Sequence, residues 1–111
     1  MLSTVVSHPA PNRAILDAGS KCLTSDFHRM TDRMSGYGYL KGSGDVLVAR
    51  VSEEHSVVPL RDGHPKLAIG DRVEIIPNHA CATLNMFDTL LGVRDGEVEV
   101  TWPVLARGKV R

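Results

Sequence analysis

The sequence predicts a mostly β protein, a small antiparallel barrel or sandwich-like domain with one or two short helices. Three observations predict it. The stretch "DRVEIIP" (71–77) alternates apolar Val73 and Ile75 with polar Arg72 and Glu74, the period of a strand that buries one face. The stretch "LLGVRDGEVEVTW" (90–102) brackets Asp95-Gly96 with two alternating runs in which Val98 and Val100 oppose Glu97 and Glu99. An Asp-Gly pair in that setting marks a hairpin with a type I′ turn. Helical candidates are confined to 22–34 and, briefly, 83–89.

In chain order, "STVVS" (3–7) is a short β-branched strand, and "HPAPN" after it, with Pro9 and Pro11, is expected to continue neither a helix nor a central strand. The segment "RAILDAG" (13–19) reads as a second strand ending in a turn at Gly19. Four glycines within "SGYGYLKGSGD" (35–45) predict a loop that needs positive φ or close backbone approach. After it, "VLVARVSEEHSVVPL" (46–60) supplies one or two strands, and Gly70-Asp71 turns the chain into the 72–77 strand. No internal repeat or low-complexity tract is visible.

Composition narrows the function classes. A chain of 111 residues with 42% hydrophobic side chains suits a single domain, 1–111, with a modest core. Thirteen basic residues balance thirteen acidic ones, and neither sign forms a block. The electrostatic footprint of a nucleic-acid or membrane-surface binder is therefore missing, and the expected partners are small molecules or protein. No apolar run approaches the roughly 20 residues of a bilayer span, and "MLSTVVSHPAPNR" lacks the basic and apolar regions of a signal peptide, so a cytoplasmic location is expected. Cys22 and Cys81 are too few for a disulfide framework; in a reducing compartment each is a ligand or a buried thiol.

The most informative stretch is "PNHACATLN" (77–85), which places His79 and Cys81 two apart directly after a strand. Imidazole and thiolate both ligate zinc, and in an extended segment side chains i and i+2 leave the same face. A structural zinc site takes four protein ligands, however, and no CxxC or HxxxH completes the set here. Two readings stand: an open, catalytic metal site whose other positions go to water or substrate, or a small buried thiol beside a strand-end histidine bonded to a carbonyl. Spacing alone favours the second. Glu53, Glu54 and His55 cluster in "SEEHS" (52–56), where carboxylates could orient an imidazole, although such a cluster is more often a solvated turn. Asp17, Ser20 and Lys21 surround a glycine in "DAGSK" (17–21), but the full glycine spacing of a phosphate cradle is lacking and a turn is the better reading. His8, His28 and His64 are given no role.

Taken together, "RAILDAGSK", "VSEEHSVV", "IGDRVEIIPNHACATLN" and "VRDGEVEVTWPVLARG" resemble the C-terminal β domain of the D-serine dehydratase and D-threonine aldolase family, fold type III pyridoxal-phosphate enzymes of the alanine racemase type. The resemblance runs from about Ser3 to Gly108. It implies a divalent metal site beside the cofactor, with His79 and Cys81 as the protein ligands, and it reverses the preference that spacing gave. Soft sulfur at Cys81 leans toward zinc over manganese or magnesium, and within the family a cysteine at that position resembles the dehydratase branch more than the aldolase branch. The substrate implied is a D-3-hydroxyamino acid, cleaved by D-serine dehydration or D-threonine retro-aldol reaction, and His55 falls where it would lie near the substrate or behind the metal's ligands. The family's pyridoxal phosphate sits in an N-terminal (β/α)₈ barrel, which is absent from this chain, and none of Lys21, Lys41, Lys66 or Lys109 resembles the lysine that holds it. The chain is thus expected to be inactive alone, to need a barrel in the same or a separate chain, and to expose a face that favours a homodimer. An alternative is a non-catalytic β module for protein interaction or dimer assembly.

Overall fold

A computed structural model describes residues 1–29, 35–62 and 65–109 of the protein. The strands are β1 (Leu2–Ala10), β2 (Arg13–Leu16), β3 (His28–Arg29), β4 (Ser35–Gly36), β5 (Gly38–Leu40), β6 (Arg50–Val51), β7 (Ser56–Pro59), β8 (Arg72–Pro77), β9 (Thr89–Arg94) and β10 (Glu97–Pro103). Two short helices, α1 (Ser20–Leu23) and α2 (Ala80–Leu84), punctuate them. Six strands form one antiparallel sheet in the order β5-β8-β1-β2-β7-β6, while β3-β4 and β9-β10 each form a separate two-stranded sheet. The sheet curls because the 46–51 segment joins its two ends. Val48 N–H donates to Gly38 and Leu40 N–H to Val46 on the β5 side, while Ala49 N–H donates to Val57 on the β7 side. The result is the expected mostly β, barrel-like domain.

The inside of the curl holds Val5, Leu16, Leu40, Val48, Val58 and Ile75, one side chain from almost every strand, with Leu23 of α1 closing one end. Alternation within β8 places Ile75 in this core and leaves Arg72, Glu74 and Ile76 outside, as its sequence period requires. Glycines of the 35–45 stretch admit strands rather than a continuous loop. A Cβ on Gly36 would lie 2.5 Å from the Val48 carbonyl oxygen, and one on Gly38 would lie 2.9 Å from Ile75 Cγ2. Only Gly42 and Gly44 use positive φ, at 78° and 71°.

Three expectations about element limits are corrected. Strand β1 runs through Pro9 to Ala10, because its pairing with β8 stops at Thr4 and Pro9, with no N–H to donate, sits where β1 has a neighbour on one side only and an irregular register. The helix anticipated over 22–34 is instead α1, four residues ending at Leu23: Thr24 adopts φ 69° and ψ 176°, and the chain leaves in extended conformation toward β3. The remainder, 30–34, lies outside the described residues, as does His64. The helix anticipated over 83–89 begins earlier, at Ala80, and ends at Leu84.

Asp95 (φ 50°) and Gly96 (φ 85°) form the expected type I′ turn of the β9-β10 hairpin. A register shift between Val98 and Val100 breaks the simple alternation, and among the described residues the hairpin contributes no side chain to the core: Leu91, Val93, Val98 and Trp102 are each more than half exposed. Trp102 lies over Gly92, where a Cβ would meet its ring at 2.7 Å. Among the described residues no helix is long and apolar enough to cross a membrane.

Candidate metal-binding site at the β8–α2 junction

Strand β8 ends at Pro77, and the residues that follow bend into α2. His79 caps that helix in an extended conformation (φ −133°, ψ 96°), while Cys81 lies in its first turn, so the two side chains sit across a strand-to-helix junction rather than on one face of a strand. Thr83 is the buried residue of α2. Two residues of helix rotate by about 200°, so Cys81 projects on the opposite, outer side, and its thiol is exposed. The buried-thiol reading of Cys81 is thereby corrected.

Among the described residues the His79 ring is bonded to a carboxylate and not to a backbone carbonyl. Its Nδ1 lies 2.6 Å from Asp26 Oδ2, with both side chains about half exposed. A carboxylate accepts and does not donate, so Nδ1 carries the proton and the lone pair of a neutral ring falls on Nε2. Asp26 was invisible to sequence reasoning because it lies 53 positions away. It reaches His79 through a tightly built loop. Thr24, strained at positive φ, turns the chain out of α1, its hydroxyl accepts from Asp26 N–H at 3.2 Å, and Asn78 Nδ2 donates to the carbonyls of Asp26 (2.8 Å) and Gly36 (2.7 Å). Phe27 meets Tyr37 edge to face at 5.3 Å and fastens the same loop from its far side.

His55 occupies an exposed turn, 52–55, in which Ser52 N–H and Ser52 Oγ–H both donate to the His55 carbonyl. The structure joins this turn to α1 and not to His79. Ser20 N–H donates to Ser52 O at 2.8 Å and Lys21 N–H to Glu53 O at 3.1 Å, while Lys21 Nζ pairs with Glu54 (2.5 Å) and Glu53 (3.2 Å). Those carboxylates hold the Lys21 ammonium above its ordinary pKa. The Ser20 and Lys21 N–H groups and the Lys21 ammonium of "DAGSK" are thus engaged within the fold. Asp17 accepts from Thr4 N–H and Ser3 Oγ–H, each at 2.7 Å. Partial burial pushes its carboxyl up, and these hydrogen bonds more than reverse that, leaving it below the usual value. Among the described residues no three His, Cys, Asp or Glu side chains group as metal ligands.

Residues 1–93 match the family model described as "Putative serine dehydratase domain". The chain belongs to this family. Among its relatives are the 3-hydroxy-D-aspartate aldolase of Paracoccus denitrificans, 39% identical over 109 residues, and an uncharacterized protein of Mycobacterium tuberculosis, 40% identical over 97 residues. The alignment covers 98% of this chain and 26% of the aldolase, but 87% of this chain and 71% of the mycobacterial protein. The chain therefore spans about a quarter of the length of the aldolase. The solved D-threonine aldolase from Filomicrobium marinum superposes with a TM-score of 0.79 at 32% identity, covering 99% of this chain and 28% of that one. The D-threo-3-hydroxyaspartate dehydratase from Delftia sp. HT23 superposes at 0.75 with 29% identity, over 94% of this chain and 31% of that one. Two mutants of a dehydratase of that name match as well: one has a histidine replaced by alanine, and the other, in metal-free form, has the cysteine two positions further on replaced.

Proposed function

We propose that this chain is the metal-binding, active-site-completing domain of a pyridoxal-phosphate lyase acting on D-3-hydroxyamino acids, with His79 and Cys81 as the two protein ligands to a divalent metal. The observation that carries the reading is local. At one strand–helix junction His79 has its Nδ1 committed to Asp26, leaving Nε2 as the ligating atom, and two residues on a thiol faces solvent. The donor set fits: imidazole nitrogen and thiolate sulfur suit zinc better than manganese or magnesium. Support also comes from the dehydratase whose replaced histidine and cysteine have the same spacing as His79 and Cys81.

When bound, the metal supplies a Lewis acid for the substrate's β-hydroxyl, beside pyridoxal phosphate carried by a barrel portion outside this chain. The chain's own residues then have defined tasks. His79 Nε2 and the Cys81 thiolate would hold the metal, which would need further ligands from outside these two side chains. Asn78 and the Thr24–Asp26 loop fix the junction, and His55, exposed on its own braced turn, is assigned a place near the substrate or behind the metal's ligands by the family resemblance alone. A cytoplasmic setting keeps Cys81 reduced.

The test is a zinc competition titration against a chromophoric chelator, on wild type, His79→Ala and Cys81→Ser. One equivalent bound by wild type and lost in both variants supports the reading; equal, weak binding in all three refutes it. Turnover of D-serine or D-threonine by a separate barrel chain only when this domain is added supports the lyase assignment. In that assembly, unchanged metal affinity and turnover in His55→Gln would remove His55 from the site.

A second reading, a non-catalytic module for protein interaction or dimer assembly, is favoured by the much shorter mycobacterial relative and by the bare apolar hairpin. It predicts self-association or capture of another chain regardless of metal.

A further inference from the structure

We infer that Asp26 is a positioning residue that selects the tautomer and ring direction of His79, and that Asn78 is the clamp that keeps Asp26 in reach. The inference rests on the metal-ligand reading of His79 and extends it to residues that contact no metal.

The geometry supplies the argument. A free neutral imidazole places its proton on either nitrogen, so a histidine that ligates through Nε2 does so only in the fraction of rings protonated on Nδ1 and turned outward. Asp26 Oδ2, 2.6 Å from Nδ1, removes both freedoms at once, because an ionised carboxylate accepts that proton and holds the ring plane. Asp26 belongs to a loop that would not otherwise face α2. The Asn78 amide spends both of its N–H groups on two carbonyls, those of Asp26 and Gly36, tying the loop and β4 to the end of β8 immediately before His79. A half-exposed hydrogen bond of this kind contributes little to stability. Positional control of the neighbouring ligand gives the three polar contacts a purpose that stability does not.

The test uses the full chain and two readouts. The first is zinc affinity by chelator competition in wild type, Asp26→Ala, Asp26→Asn, Asp26→Glu and Asn78→Ala. The second is ¹⁵N chemical shift of the His79 ring in metal-free protein at alkaline pH, which reports the tautomer without metal. Wild type is expected to show the Nδ1–H ring. Asp26→Ala should show a mixture with zinc affinity about 10- to 100-fold weaker, the range for losing a ligand's hydrogen-bond partner. Asp26→Asn should shift the ring toward Nε2–H, because an amide N–H can donate to Nδ1; Asp26→Glu should recover part of the affinity, and Asn78→Ala should weaken it less than Asp26→Ala.

Wild-type affinity in Asp26→Ala overturns the inference, as does an Nε2–H ring in wild type. If wild type binds no zinc, the ligand reading fails and takes the inference with it. The two failures remain distinct, since the ring is then Nδ1–H when only the ligand reading has failed and Nε2–H when the positioning itself is wrong.

Discussion

Gly19→Ala is expected to damage this fold more than its single methyl group suggests. Gly19 stands at the start of α1, where an added Cβ would lie 2.3 Å from the Glu53 carbonyl oxygen and 2.5 Å from that of Ser52. An ordinary carbon–oxygen contact is about 3.3 Å, so the two backbones must separate by about 1 Å. Both obstacles are main chain, and no rotamer change relieves them. The separation stretches Ser20 N–H to Ser52 O (2.8 Å) and Lys21 N–H to Glu53 O (3.1 Å) toward breaking. Each bond contributes about 0.5–1.5 kcal/mol, and overpacking adds about 1–3 kcal/mol. Alanine's smaller unfolded-state entropy returns about 0.4–1 kcal/mol. The net loss is about 1–5.6 kcal/mol, which at about 4–8 °C per kcal/mol for a small domain lowers Tm by roughly 4–45 °C. Gly42→Ala is the control, since no atom lies within 4 Å of its Cβ and only its φ of 78° is penalised. Thermal unfolding by circular dichroism measures both. A Gly19→Ala melting point within about 4 °C of wild type, or no lower than that of Gly42→Ala, refutes the reasoning.

Three further outcomes are expected. Asp17 is depressed in the folded state, so its stabilisation is present above the unfolded carboxylate pKa near 3.8 and disappears as pH falls through the lower folded value; urea midpoints of Asp17→Asn should therefore depend less on pH than wild type below about pH 4. Iodoacetamide at pH 8 should label exposed Cys81 well before Cys22, whose half-buried thiol is pushed up by burial and donates to Gly19 O, and mass spectrometry of peptides at early times reads the order. Gly92→Ala should cost less in melting point than Gly19→Ala while red-shifting the emission of Trp102, the chain's single tryptophan, because the new methyl meets side chains of the exposed hairpin, Val100 Cγ1 at 2.5 Å and the Trp102 ring at 2.7 Å, rather than backbone.

The fold was legible where period and turn chemistry are local. The alternation of 72–77 and the Asp95-Gly96 turn each specify a strand pair within a few residues, and both are present. Limits set by tertiary contact were not legible. Pro9 is tolerated in β1 only because β8 has already departed, and Thr24 ends α1 at a backbone angle that no propensity assigns to threonine. The candidate site divides the same way. His79 and Cys81 announce themselves by residue type and spacing, but their placement across a junction came only with α2, and Asp26 gives no sequence signal at all. A serine-aspartate pair in a polar loop is commonplace until folding brings it 2.6 Å from an imidazole.

The position of β1 between β2 and β8 also sets the order in which the molecule can assemble. Pairing with β2 is a hairpin event, with Ala10 opposite Arg13, but pairing with β8 puts Leu2 opposite Glu74. A ribosome adding about 5–20 residues per second needs roughly 4–14 s to cover that separation. Throughout that interval the half-made barrel presents one open edge of β1, so the step that closes the sheet is governed by loop-closure entropy and by how well the nascent edge avoids other chains. Refolding from denaturant, where β8 is present from the start, should proceed without that wait.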